Sequence, residues 1–137
     1  MKQRICLLGS TGSIGVQTLD IVRENPDKFE ITTLTANSNW QLLAKQAIEF
    51  EADCVVIGDQ RHYDDLTAAI GDRPIKVFAG EDSLCSAAAS SEVDTVVNAL
   101  VGYAGLHPTM AAIEAGKKIA LANKETLVVA GETVMRA

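Results

Sequence analysis

The sequence predicts a three-layer α/β/α domain built on a doubly wound, mainly parallel sheet. Three observations carry this. Short apolar or β-branched runs recur, each followed by a segment of helical period, and the links between them are short. Two glycine-rich stretches, Gly9-Ser10-Thr11-Gly12-Ser13-Ile14-Gly15 and Gly102-Tyr103-Ala104-Gly105, directly follow two of the strands. A β-α alternation with short links is how a parallel sheet covered on both faces looks in sequence. At 137 residues and 47% apolar content the chain is sized for a single core, and residues 1–137 are read as one domain.

The apolar residues 5–8 form the first strand. Ile14, Thr18, Leu19, Ile21 and Val22 then recur at helical spacing until Asn25-Pro26-Asp27, because the residue before a proline is pushed out of the helical region. Residues 29–36 are a β-branched run and the second strand. A helix over 40–50 places Leu42, Leu43, Ala47 and Phe50 on one side, and 54–57 is continuously apolar, hence a fully buried third strand. Residues 59–71 read as a helix with Tyr63, Leu66, Ala69 and Ile70 inward; His62, Asp64 and Asp65 fit a solvated face rather than metal ligands. A strand over 75–78 leads to an alanine-rich helix over 82–90, with Glu81 and Asp82 at its positive end. Residues 93–100 form a central strand that runs into the second glycine loop. Pro108 suits the first turn of the next helix and Gly116 its end. Residues 118–122 are a further strand, and Asn123-Lys124-Glu125 opens a last helix in which the sequence stops, as a truncated piece would.

The net charge of −6, with no basic cluster beyond Lys117-Lys118, argues against nucleic acid as a partner. Cys6, Cys54 and Cys85 are odd in number and lack C-x-x-C spacing, which fits reduced thiols in a cytoplasm. Neither a charged-then-apolar leader nor a run of membrane-spanning length is present in the sequence, so no membrane role is expected.

The first glycine loop carries the chemistry. The first turn of a helix has backbone N–H groups without partners and the positive end of the helix dipole behind them, so it receives an anion. Glycines let the backbone approach, and Ser10, Thr11 and Ser13 add hydroxyls, a set suited to a pyrophosphate or phosphate. The spacing is G-x-x-G-x-x-G, not the commonest dinucleotide fingerprint, and the strand before and helix after supply the context. In a dinucleotide fold an acidic residue at the tip of the second strand bonds the ribose 2′-hydroxyl of NAD. Here that tip reads Ala36-Asn37-Ser38-Asn39. A 2′-phosphate would not be repelled, which leans towards NADP; the alternative is a polar turn with Ser38 or Asn39 capping the next helix.

Three separated motifs agree on a family: the first glycine loop; Val101-Gly102-Tyr103-Ala104-Gly105-Leu106-His107-Pro108-Thr109 with Ala111-Ala112-Ile113; and Leu121-Ala122-Asn123-Lys124-Glu125. Together they resemble the N-terminal, Rossmann-like NADPH-binding domain of the 1-deoxy-D-xylulose 5-phosphate reductoisomerases. The resemblance implies an NADP-dependent oxidoreductase that rearranges and reduces 1-deoxy-D-xylulose 5-phosphate to 2-C-methyl-D-erythritol 4-phosphate in isoprenoid biosynthesis, with a divalent metal (Mg, Mn or Co) polarising the substrate. It implies that Thr11, Gly12, Ser13 and Ile14 line the pyrophosphate, with Gly9 and Ser10 also in the cofactor-binding loop, and that Asn37, Ser38 and Asn39 meet the adenosine ribose and its phosphate. Asn123 and Glu125 would reach the nicotinamide half and Lys124 the phosphorylated sugar. The family is homodimeric, with dimer contacts largely outside this segment, which leaves room for a monomeric fragment.

Two departures stand out. Many relatives carry a glycine and a basic residue where this chain has Asn37 and Ser38, so the 2′-phosphate loses an ion-pair partner. The family's acidic D-S-E metal motif lies beyond these residues and no Asp/Glu pair replaces it, so the chain is expected to hold no metal site and to bind nucleotide without turnover. A rival of the epimerase-reductase kind needs Tyr-x-x-x-Lys, which neither Tyr63 nor Tyr103 supplies. A stand-alone nucleotide-sensing module would present the same sequence features.

Overall fold

The computed structural model describes residues 2–100, 102–123, 125–129 and 131–135. Its elements run β1 (Gln3–Leu8), α1 (Ser13–Glu24), β2 (Phe29–Ala36), α2 (Trp40–Phe50), β3 (Cys54–Ile57), α3 (Tyr63–Ile70), β4 (Lys76–Ala79), α4 (Glu81–Ala88), β5 (Thr95–Asn98), α5 (Leu106–Glu114), β6 (Lys118–Ala122), β7 (Thr126–Val129) and β8 (Glu132–Met135). The strands form one sheet in the order β4-β3-β2-β1-β5-β6-β7-β8. β4 through β6 pair in parallel, and β7 and β8 are added antiparallel. The mainly parallel α/β architecture is therefore as expected.

Strand alternation sorts the core onto two faces. Ile5 and Leu7 of β1 join Leu19, Ile21 and Val22 of α1, Leu43 and Ala47 of α2, and Leu66 and Ile70 of α3. Cys6 and Leu8 point the other way, into a smaller cluster with Ala88 of α4, Val96 of β5 and Ala112 of α5. The result is three layers, with β1 at the centre of both cores. The thiol of Cys6 is wholly buried there, and burial pushes its pKa up.

The segment after β6 departs from the expected helix. β7 and β8 instead pair antiparallel as a hairpin, and Gly131 at the start of the return has a φ of +86°, which suits glycine. The competing signal is the β-branched content: Thr126, Val128, Val129, Thr133 and Val134 favour extended backbone. Leu127, Val129 and Val134 bury their side chains in the larger core. Elsewhere the differences are smaller. The helix expected over 59–71 begins as a 3-10 turn, Gln60–His62, and Tyr63 is 40% exposed rather than inward, while Leu66 and Ile70 are buried. In α2 the buried side is Leu43, Ala44, Gln46 and Ala47, with Leu42 and Phe50 half-buried. Cys54, expected to be fully buried, is half-buried at the start of β3.

An ion pair pins the two strands on which the site is built. The Asp94 carboxylate accepts from the Arg4 backbone N–H at 3.0 Å, from Nε at 3.3 Å and from Nη2 at 3.1 Å. The guanidinium, and then the backbone N–H, hold the Asp94 carboxyl below its ordinary value. A folded pKa below the unfolded one gives stability that is complete above the unfolded value of about 4 and lost as pH falls through the folded value. Both side chains are about a third exposed, 35% and 32%, so solvent screens the pair and its contribution to stability is small. D94N is expected to lower the urea midpoint at neutral pH and to flatten the loss of stability below about pH 4. An unchanged acid limb in that variant would refute the assignment.

Candidate functional site

The strand order reverses at β1: β2 lies on one side and β5 on the other. Ligands of open parallel sheets bind beyond the carboxyl ends of the strands at such a switch point. Leu8 of β1 is in register with Asn98 of β5, so the two glycine loops that follow them lie side by side. Gly9 has a φ of +82°, and a Cβ there would come within 2.7 Å of the Leu100 side chain. The backbone N–H of Ala99 donates to Leu8 O at 2.9 Å, and that of Leu100 to Asn98 Oδ1 at 3.0 Å. A Cβ at Gly105 would collide with the Asn98 carboxamide, so the second loop also depends on a close approach. Val101 is outside the described residues.

The first loop is clamped from below and open above. Gly9 N–H donates to Thr35 Oγ1 at 3.1 Å and Ser10 N–H to Thr35 O at 2.8 Å. Ser10 is fully buried, its hydroxyl donating to Gln46 Oε1 at 2.7 Å while Gln46 Nε2 donates to Ser10 O at 2.9 Å. The Ser10 hydroxyl is therefore not a donor to the concavity, contrary to the sequence expectation; in the fold it is a tether. Thr11 and Ser13 carry hydroxyls that engage no partner among the described residues, half-buried and exposed respectively.

Gly12 is the N-cap of α1 and has no side chain to cap with, and no acidic residue lies in the first turn. Its carbonyl takes the first helical bond, from Val16 N–H at 2.9 Å. The N–H groups of Ser13, Ile14 and Gly15 come before that bond and remain available. A Cβ at Gly12 would meet only Gly9 O, at 3.7 Å, so the space in front of these amides is open. At Gly15 a Cβ would overlap Gly9 O. That glycine serves the packing of α1 on the loop.

At the tip of β2, Asn37, Ser38 and Asn39 are exposed. The Asn39 side chain accepts from Leu42 N–H at 3.2 Å and so caps α2, the alternative the sequence left open. Asn37 and Ser38 keep their side-chain donors. Sequence reasoning missed what the adjacent strand brings here. Asp59 N–H donates to Asn37 O at 2.8 Å, and Arg61 closes on the Asp59 carboxylate, with Nη2 to Oδ2 at 2.7 Å. Arg61 holds the Asp59 carboxyl down, at about 2. The tip therefore has a cation beside it, paired to an anion two residues away.

Beyond β6, Asn123 Oδ1 accepts from Glu125 N–H at 2.9 Å and Thr126 N–H at 3.0 Å, and Asn123 N–H donates to Thr126 O at 3.0 Å. The expected helix cap is instead a tight turn into β7. It leaves the Asn123 amide nitrogen and the exposed Glu125 on the same edge of the sheet as both glycine loops. Lys124, expected at the substrate, lies outside the described residues. Among the described residues no group of three His, Cys, Asp or Glu side chains could hold a metal ion. No described helix is long and apolar enough to cross a membrane. A groove of about 490 Å³ lined by Cys54, Phe78, Ser83 and Ser86, among others, shares no residue with either glycine loop.

Comparison with known proteins points to one family. The family model described as 1-deoxy-D-xylulose 5-phosphate reductoisomerase matches residues 5–131. The reductoisomerase of Porphyromonas gingivalis is 54% identical over 136 residues, which is 99% of this chain and 35% of that protein. That of Gloeobacter violaceus is 47% identical over 135 residues. The Zymomonas mobilis reductoisomerase in complex with NADPH superimposes with a TM-score of 0.83 at 41% identity, covering 90% of this chain and 32% of that one. A reductoisomerase with NADPH, fosmidomycin and magnesium gives 0.82 at 38% identity, over 85% of this chain and 29% of the other. The chain thus spans about a third of the length of the curated relatives it matches. It belongs to the 1-deoxy-D-xylulose 5-phosphate reductoisomerase family.

Proposed function

We propose that this chain binds NADPH, as the nucleotide-binding part of an enzyme that rearranges and reduces 1-deoxy-D-xylulose 5-phosphate. The observation that carries the reading is the uncapped start of α1. Three free amides, an open Gly12 and a first turn without an acidic residue form a site for a pyrophosphate. In this reading Thr11, Gly12, Ser13 and Ile14 hold the pyrophosphate, with Gly9 and Ser10 shaping the loop. Asn37 and Ser38 meet the ribose and its 2′-phosphate, with Asn39 supporting them through the cap. Asn123 and Glu125 border the nicotinamide half, and Lys124 meets the phosphorylated sugar. NADPH supplies a hydride when bound, and solved relatives that contain it support the assignment. The divalent metal would be held by residues other than those described. We place the protein in the cytoplasm, a reading that the three free cysteines support, and, from its family alone, as a homodimer.

Trp40, the chain's one tryptophan, opens α2 immediately after the β2 tip and provides the optical probe. Titration with NADPH and with NADH, followed by Trp40 emission, is expected to show NADPH bound at least about tenfold more tightly, a difference of roughly 1.4 kcal/mol. Equal or tighter binding of NADH would defeat the 2′-phosphate assignment.

A further inference from the structure

No motif in the sequence marks Gln46, yet the geometry points to it as a positioning residue. We infer that Gln46 fixes the pyrophosphate loop relative to the ribose-binding tip of β2, so that the two halves of the dinucleotide site form one rigid piece. This rests on the cofactor reading above and adds to it the residue that sets the spacing.

Gln46 lies two turns into α2 and is 6% exposed. A buried primary amide is costly unless both its ends are bonded. Both ends go to one residue: Oε1 accepts from the Ser10 hydroxyl and Nε2 donates to the Ser10 carbonyl. Ser10 N–H is in turn held by Thr35 O, and Gly9 N–H by Thr35 Oγ1. The amide, carbonyl and hydroxyl of Ser10 are thus all held by β2 and α2. Residues 36–39 lie between those two anchors in the chain. The segment that meets the ribose and the loop that meets the pyrophosphate are therefore joined by four hydrogen bonds.

The side-chain type matters. Leucine would fill the volume and leave a buried hydroxyl and carbonyl unpaired. Glutamate would accept from the hydroxyl, lose the donor to the carbonyl and bring a charge into a buried position. Glutamine supplies donor and acceptor together. A ligand that spans both ends gains from their being preorganised at the right distance, whereas one that occupies a single end does not.

The test compares the wild-type chain with Q46L, S10A and Q46E, using calorimetric titration with NADPH and with adenosine 2′-monophosphate, which lacks the pyrophosphate. Q46L is expected to lose roughly tenfold in NADPH affinity while binding the monophosphate within about twofold of wild type. S10A keeps the bond from Gln46 to the Ser10 carbonyl and is expected to lose less. In ligand-free Q46L, amide exchange at residues 11–16 is expected to accelerate roughly tenfold, with that of α3 and β4 unchanged. Equal loss of both ligands would reduce Gln46 to a residue of general stability and overturn the inference, as would unchanged NADPH affinity. If Q46L does not fold, S10A, which removes the hydroxyl bond and adds no charge, makes the same comparison. A wild-type chain that fails to bind NADPH would overturn the cofactor reading instead, and the exchange rates would then decide the Gln46 clamp by themselves.

Discussion

Gly12→Val abolishes NADPH binding and leaves the domain folded: this is the largest functional effect expected of any single substitution here. Gly12 has φ −78° and ψ 176°, an extended conformation that a β-branched residue adopts without strain. A Cβ there meets nothing closer than 3.7 Å, so the fold has room for it. The valine methyls would instead stand in front of the Ser13, Ile14 and Gly15 amides, where a phosphate has to come. Affinity should fall at least about a hundredfold, roughly 2.7 kcal/mol, measured by Trp40 emission. Stability should change by no more than about 1 kcal/mol, since valine is only a poorer N-cap than glycine. Retained affinity would remove the start of α1 from the site.

Gly15→Ala reverses that pattern. In an exposed helix the exchange would gain about 1 kcal/mol from propensity. Here the methyl overlaps Gly9 O and lies 2.7 Å from Ser10 Cα and 2.8 Å from Ser10 C, all backbone atoms that cannot rotate away. α1 must move off the loop, which also disturbs the Ser10 tether beneath it. A net destabilisation of roughly 2–3 kcal/mol is expected from urea unfolding. A neutral or stabilising outcome would show that the helix slides freely over the loop.

Set beside each other, these two glycines show what a motif conveys. In sequence, Gly9, Gly12 and Gly15 are equivalent members of one repeat. In the fold Gly9 makes the turn, Gly12 keeps the front open and Gly15 lets the helix sit close. The parallel core was legible because it depends on local signals: β-branched runs, helical spacing and the proline at position 26. The position of the site followed, since the glycine loops come directly after strands. What local reading could not reach are the long-range partners. Ser10 resembles a ligand donor until Gln46, 36 positions away, is seen to claim it. Asn123 before a polar pair resembles a helix cap, and the preference of the β-branched residues on either side of Gly131 for extended backbone overrode that reading. Arg61 arrives at the β2 tip only because β3 is the neighbour of β2.

The register of β1 also governs when, during folding, the site comes into being. β1 pairs with β2 through Ile5 and Ile31 but with β5 through Ile5 and Thr95. The first pairing closes a short loop and can form while little of the chain has collapsed. The second must bring together segments 90 positions apart in sequence, an entropic cost met before any non-local contact rewards it. Thr35 and Gln46, 26 and 36 positions from their partners in the glycine loop, are expected to secure its underside first. Leu100, against which Gly9 turns, reaches it only when β5 docks. A dinucleotide offered to the refolding chain should therefore find its binding surface only after that slow step, so that acquisition of affinity times the docking of β5 and not the collapse of the first three strands.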